Sequence, residues 1–160
     1  MATTRLLLTP LSAEFPSSNY PALGVDGQFR PYLAFDTTTD ETCYWTFIAP
    51  QGLSGALTAV ITYRAATATS GTACFEVALE CITDGDATDT DAASSFATVN
   101  TASAATVPGT AGYIDQFSVT LTNNDSIAVG DYCRLRLNRD VSADSATGDI
   151  QVLAVEIREA

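Results

Sequence analysis

The chain has 160 residues, enough for one domain with a sizeable hydrophobic core. Its net charge is −12, and seven arginines are its only cations, because it contains neither lysine nor histidine. Phosphate groups are bound by clustered basic side chains, so this composition argues against nucleic acids and anionic membranes as partners. Nucleophilic catalysis normally uses a histidine or lysine base, so we expect a protein that is not an enzyme, with no catalytic residues and no cofactor.

The first 29 residues differ in composition from the rest of the chain. Residues 3–9 could form one strand, but Pro10, Pro16 and Pro21 prevent a continuous ladder because proline lacks the amide donor. We predict an extended N-terminal arm over residues 1–29. Two alternatives stay open: the arm lies across a neighbouring subunit, or it packs along its own sandwich.

From residue 30 to residue 160 the sequence predicts a single β-sandwich domain. Apolar and polar residues alternate in short segments that are separated by turn residues, which is the pattern of strands with one buried face. In the clearest segment, Val77 and Leu79 alternate with Glu76 and Glu80. The eight predicted strands are 32–35, 42–49, 56–63, 72–82, 94–107, 113–121, 132–138 and 149–157.

Eight strands with this spacing fit two four-stranded sheets in a jelly roll. An immunoglobulin-like sandwich is the structural alternative, but Trp45 follows Cys43 by only two residues, which does not match the spacing of that fold. We therefore predict an all-β, eight-stranded antiparallel β-sandwich of jelly-roll type.

The four cysteines show no metal-binding pattern. The sequence has no CxxC pair and no histidine that could complete a zinc site, so no metal is expected there. We interpret Cys43, Cys81 and Cys133 as small core residues, with Cys74 on a different face, and all four as reduced.

An acidic segment follows the strand at 72–82. Asp84, Asp86, Asp89 and Asp91 lie within eight residues, and converging carboxylates are ligands that calcium prefers. The segment lacks the glycine and the distant glutamate of an EF-hand loop. We interpret it as an exposed loop whose side chains cap their own turns, with a calcium loop as the alternative.

The other charged cluster lies near the C-terminus. Arg134, Arg136 and Arg139 accompany Asp140, and we predict that these residues form cross-strand or intersubunit ion pairs. Aromatic residues are scattered over several predicted strands, so the sequence does not single out a sugar-binding surface.

Residues 123–140, together with residues 146–157, resemble small β-rich structural proteins encoded by tailed bacteriophages. Residues 33–36 leading into 41–50, and Asp84-Gly85-Asp86-Ala87 after a strand, fit the same pattern. The resemblance covers roughly residues 32–158. It implies a jelly-roll-like module that acts by assembly and has no catalytic residues.

The resemblance further implies a capsid decoration or cement protein, made in the host cytoplasm, that binds the outer head surface of a virion and bridges capsomers. Its partners would be the major capsid protein and two further copies of itself in a homotrimer, without nucleic acid or membrane. The alternatives are a tail-fibre or receptor-binding module, or a carbohydrate-binding β-sandwich. The residues expected to contact the capsid or a neighbouring subunit are Arg5, Leu6, Leu7, Leu8, Phe15 and Tyr20.

Overall fold

The computed structural model describes residues 2–53 and 56–159, which contain strands, one 3-10 helix (Pro10–Ser12) and no α-helix. The strands in these residues are β1 (Thr3–Leu8), β2 (Ala22–Val25), β3 (Pro31–Phe35), β4 (Glu41–Ile48), β5 (Leu57–Ala65), β6 (Thr72–Ala73), β7 (Phe75–Ile82), β8 (Asn100–Thr101), β9 (Ala105–Thr106), β10 (Ile114–Thr120), β11 (Tyr132–Arg139) and β12 (Ile150–Glu159). The all-β class is confirmed. The strands number twelve instead of eight, because the N-terminal segment adds two and the predicted strands 72–82 and 94–107 each divide into shorter ones.

Two antiparallel sheets face each other. The larger sheet has the order β10-β5-β12-β3-β2, and β1 pairs with β12 beyond the part of β12 that pairs with β3. The smaller sheet has the order β4-β11-β7-β8, and β6 and β9 form a separate two-stranded ladder. This arrangement is the predicted antiparallel β-sandwich.

Aromatic rings between the sheets form the centre of the core. Phe75 of the smaller sheet lies 5.7 Å from Phe35, 5.8 Å from Phe117 and 6.1 Å from Tyr63, measured between ring centroids. All four rings are buried, and each such contact adds about 0.5–1.5 kcal/mol beyond the burial of apolar area. These contacts join β7 to three strands of the larger sheet.

The N-terminal segment packs along its own sandwich, which is the second of the two predicted alternatives. β1 pairs with β12 and β2 pairs with β3, both in the larger sheet. Between these two strands the chain crosses to the smaller sheet, where Glu14 and Tyr44 exchange two backbone hydrogen bonds of 2.8 and 2.9 Å. The indole nitrogen of Trp45 donates to the carbonyl oxygen of Thr9 at 2.9 Å. The segment therefore covers the edge of β4.

Arg139, at the end of β11, is fully buried. Its Nε donates to Oδ2 of Asp144 at 2.7 Å, and its Nη1 donates to the carbonyl oxygens of Phe35 at 3.0 Å and Gly148 at 3.1 Å. The guanidinium therefore ties β3 and β11 to the loop before β12. Oδ1 of Asp140 accepts hydrogen bonds from the backbone amides of Ser142 and Ala143 in its own turn, and its cross-strand or intersubunit ion pair stays a prediction.

All four cysteines are free thiols. Cys43, Cys74 and Cys133 are buried, whereas Cys81 is half-buried opposite Cys133 in the β7–β11 ladder. Burial raises the pKa of the Cys43 thiol, and a hydrogen bond with Cys133, together with burial, raises the pKa of Cys81. At neutral pH the thiols of Cys43 and Cys81 are therefore protonated, and both side chains pack as small apolar groups.

Candidate functional site

The outward face of the smaller sheet carries the candidate site. Alternation along β11 turns Cys133, Leu135 and Leu137 into the core and leaves the even-numbered residues outside. The register with β4 and β7 aligns the outward side chains in three rows, which are Ile48–Tyr132–Ile82, Thr46–Arg134–Glu80 and Tyr44–Arg136–Ala78.

A groove of about 250 Å³ lies over the first two rows. Its floor is Thr46, Arg134 and Glu80, and the exposed ring of Tyr132 stands at one end. The lining residues are Glu14, Thr46, Glu80, Ile82, Thr90, Ser94, Tyr132 and Arg134.

Two segments outside the sheet form the walls of the groove. On the β4 side, the backbone bonds between Glu14 and Tyr44 hold the N-terminal segment against the sheet edge. On the β7 side, the loop of residues 83–99 is held by Glu80, whose Oε1 accepts hydrogen bonds from the backbone nitrogen and the hydroxyl of Ser95. The amide of Ala97 then donates to the carbonyl oxygen of Leu79 at 2.8 Å. Both walls are therefore fixed by backbone contacts.

Aromatic rings position Arg134 in the floor. Its guanidinium carbon lies 4.9 Å from the centroid of the Tyr44 ring and 5.5 Å from that of Phe96. The Tyr44 and Phe96 rings are 5.8 Å apart, and the guanidinium carbon of Arg136 lies 5.2 Å from the Phe96 ring. Cation–π contacts of this kind contribute about 0.5–2 kcal/mol each. Phe96 therefore lies against Tyr44 and Arg136 of the third row, whereas the groove lies over the first two rows.

The charges of the floor are largely satisfied by one another. Nη1 of Arg134 lies 3.4 Å from Oε2 of Glu80, and only 4% of Glu80 is exposed. Both carboxylate oxygens of Glu80 accept hydrogen bonds, one from Ser95 of the loop and one from Arg134. Glu14 is exposed, and its side chain makes no hydrogen bond or ion pair to any of residues 2–53 and 56–159. The groove thus combines a fixed polar floor, one free carboxylate and an exposed ring.

The predicted acidic loop lies beside the groove. Oδ2 of Asp86 accepts from the amide of Thr83 at 3.1 Å, and Oδ1 of Asp89 accepts from the amide of Asp91 at 3.0 Å. Asp84, Asp86, Asp89 and Asp91 are all exposed. Within residues 2–53 and 56–159 no three histidine, cysteine or acidic side chains come close enough to hold a metal ion. The loop contributes Thr90 and Ser94 to the groove wall, and none of its aspartates.

The predicted contact residues of the N-terminal segment are divided between the interior and the surface. Nε of Arg5 donates to Glu159 at 2.8 Å, Leu8 is buried in the core and Leu6 packs partly against it. The side chains of Leu7, Phe15 and Tyr20 are exposed, and the rings of the last two contact each other in a tilted arrangement with centroids 5.5 Å apart.

Sequence reasoning placed Arg134 on the outward face but did not identify the groove around it. Tyr132 lies two positions before Arg134 in the same strand, so the alternation of side chains could have identified it as an outward residue too. Glu14, Ser94 and Phe96 lie outside the long strands of the sheet, and no local pattern places them beside β11.

No protein-family model matches this chain, and no curated protein matches it in sequence. Solved structures of similar fold include a non-crystalline cellulose-specific carbohydrate-binding module, CBM28, with a TM-score of 0.55 and 11% identity, covering 93% of this chain and 89% of that one. The CBM22-1 xylan-binding domain of Paenibacillus barcinonensis Xyn10C has a TM-score of 0.52 and 10% identity, covering 98% and 94%. CBM35 from Cellvibrio japonicus Abf62 has a TM-score of 0.51 and 12% identity, covering 98% and 92%.

At these identities the similarity concerns the fold. It agrees with the jelly-roll β-sandwich predicted from the sequence, and it spans nearly the whole of this chain and of each of the three modules. Among residues 2–53 and 56–159, no helix has the length and apolar character that a membrane span requires.

Proposed function

We propose that this protein is a non-catalytic β-sandwich that binds carbohydrate in the groove of the smaller sheet. The observation that carries the proposal is the exposed ring of Tyr132 beside the polar floor of Thr46 and Arg134. A sugar ring presents C–H groups that pack on an aromatic face and hydroxyl groups that need hydrogen-bond partners, so it matches both parts of this surface. The carbohydrate-binding modules of similar fold support the same class of ligand.

The shape of the groove suits part of a glycan chain. Its volume of about 250 Å³ is slightly below the ~300–1,000 Å³ of pockets that enclose a drug-sized ligand. Beyond Tyr132 the surface continues to Ile48, which is 60% exposed, so a longer chain could extend over the rim. The walls are fixed by backbone hydrogen bonds, so binding needs little ordering of the protein.

Tyr132→Ala tests this proposal. We expect the variant to bind the protein's polysaccharide ligand roughly tenfold more weakly, because losing one ring that stacks on a sugar removes about 1.4 kcal/mol of binding free energy. Affinity electrophoresis against a panel of soluble plant, fungal and bacterial polysaccharides identifies the ligand, and isothermal titration calorimetry measures the affinity.

Tyr113→Ala is the matched control, because Tyr113 is also an exposed tyrosine but precedes β10 in the larger sheet and does not line the groove. It should bind as the unaltered protein does. Equal losses in the two variants, or binding to no polysaccharide of the panel, would contradict the proposed function.

An assembly function in a virion is the second candidate, and one feature favours it. The N-terminal segment exposes six large apolar side chains and the ring of Tyr20 to solvent, and a capsid or fibre contact would bury such residues. The six are Leu7 (58% exposed), Leu11 (70%), Phe15 (38%), Leu23 (48%), Val25 (55%) and Phe29 (88%). Quantitative mass spectrometry of purified virions tests this candidate: a copy number near that of the capsid protein supports a decoration protein, and a low one supports a tail fibre or receptor-binding module. Absence of the chain from virions excludes the candidate.

A further inference from the structure

Building on the proposed function, we infer that the groove selects uncharged glycans and rejects acidic ones. The electrostatics of its lining support this inference. The charged side chains that line the groove are Glu14, Glu80 and Arg134, with a net charge of −1. Acidic glycans carry carboxylate or sulfate groups, and their recognition needs a cation that is free to pair with them.

Arg134 is not free in this sense. Its guanidinium is paired with the buried carboxylate of Glu80 and packs against the rings of Tyr44 and Phe96. An acidic ligand that took Arg134 would leave Glu80 buried without its ion-pair partner. Arg136 contacts the Phe96 ring and does not line the groove. In the described parts of the chain, the groove therefore offers no unpaired cation.

The surroundings of the groove repel anions. Glu14 presents an unpaired carboxylate at one wall, and the loop that forms the opposite wall carries Asp84, Asp86, Asp89 and Asp91. A like-charge contact at about 4 Å weakens binding roughly fivefold even in a water-like medium, and more where water is partly excluded. The same Glu14 carboxylate can accept hydrogen bonds from neutral sugar hydroxyls. Charge therefore discriminates between two glycans of similar shape.

Matched pairs of polysaccharides provide the test. The probes are hydroxyethyl and carboxymethyl cellulose, methyl-esterified and de-esterified homogalacturonan, and neutral xylan with its glucuronic acid-bearing form. For each pair in which the neutral member binds, we expect the acidic member to bind at least about fivefold more weakly at 20 mM salt. The difference should shrink at high salt, because screening weakens the repulsion.

Two substitutions at one position show whether the groove itself discriminates. Glu14→Gln removes the charge of this wall, and Glu14→Arg reverses it. The affinity for the acidic glycan relative to the neutral one should therefore rise from the unaltered protein to Glu14→Gln and again to Glu14→Arg, by about fivefold or more in total. Asp149→Arg makes the same change of net charge at an exposed position outside the groove, and it should leave the ratio unchanged.

The outcomes separate this inference from the proposed function. Equal or tighter binding of the acidic members at low salt, or no response to Glu14→Arg, overturns the charge selection and leaves carbohydrate binding intact. Binding to neither member of any pair overturns the proposed function, and the charge selection with it.

Discussion

The two ends of β11 carry arginines with opposite environments. Arg134 lies on the outward face with 28% of its side chain exposed, whereas the side chain of Arg139, five residues further along the strand, is fully buried. Arg134 pairs with one carboxylate and packs against two aromatic rings at a groove that is open to solvent. Arg139 pairs with the buried carboxylate of Asp144 and donates to the buried backbone carbonyl oxygen of Gly148.

The difference shows that the surroundings decide what an arginine does. At the buried end, polar groups are satisfied by neighbours in the same chain: the amide and hydroxyl of Thr38, helped by Arg139, hold the pKa of Asp36 below its usual range. Burial raises the pKa of Glu41 in the same region. This end is a structural junction. At the groove, the free Glu14 carboxylate and the Tyr132 ring leave interactions available for a ligand.

The largest expected effect is a loss of stability at the buried end. Arg139→Met should lower the free energy of unfolding by about 3–5 kcal/mol, because it leaves the carboxylate of Asp144 buried without its counter-ion. Urea denaturation followed by tryptophan fluorescence measures this. The double variant Arg139→Met/Asp144→Leu should recover part of the loss, and a loss below 1 kcal/mol in the single variant would contradict the description of Arg139 as a structural junction.

A smaller effect is expected from Tyr63, which packs on Phe75 beside this end of the core. Burial, together with the neighbouring carboxylate of Asp115, raises the pKa of the Tyr63 hydroxyl to about 12. Because the folded-state pKa is higher than the unfolded one, the folded protein binds the proton more tightly, and stability decreases as pH rises between about 10 and about 12.

Tyr63→Phe removes this titration, so the variant should lose about 2 kcal/mol less stability than the unaltered protein between pH 9.5 and pH 12. Guanidinium denaturation at both pH values measures the free energy of unfolding of each protein. Subtracting the pH-dependent change of the variant from that of the unaltered protein removes the contribution of the other tyrosines, which both proteins share. Identical pH dependence in the two proteins would show that the Tyr63 hydroxyl is solvated.

The smallest effect on stability is expected at the groove. Arg134→Met should lower the free energy of unfolding by about 1–2 kcal/mol, because the buried Glu80 carboxylate loses its ion pair but keeps its hydrogen bonds from Ser95, and methionine can still pack on Tyr44 and Phe96. Binding of the polysaccharide found for the unaltered protein should nevertheless fall by tenfold or more, because the floor loses its hydrogen-bond donors. Stability lost without any change in binding would reverse the roles assigned to the two arginines.

The sequence by itself determined the all-β class and the two faces of β11. Period-two alternation placed Leu135 and Leu137 inside and Arg134 outside, because successive side chains of a strand point to opposite faces. The same alternation extends to Arg139 and explains its burial. The predicted strand ended at Asn138, however, one residue too early to include it.

The tertiary structure alone decided where the groove lies. Glu14 reaches the sheet because the N-terminal segment pairs with Tyr44, and Phe96 reaches it from the loop after β7. These contacts join residues 30 and 52 positions apart in the chain, whereas local periodicity reports only on neighbours. The groove also depends on the ion pair between Glu80 of β7 and Arg134 of β11. The register of these two strands places the residues opposite each other, and composition alone does not determine that register.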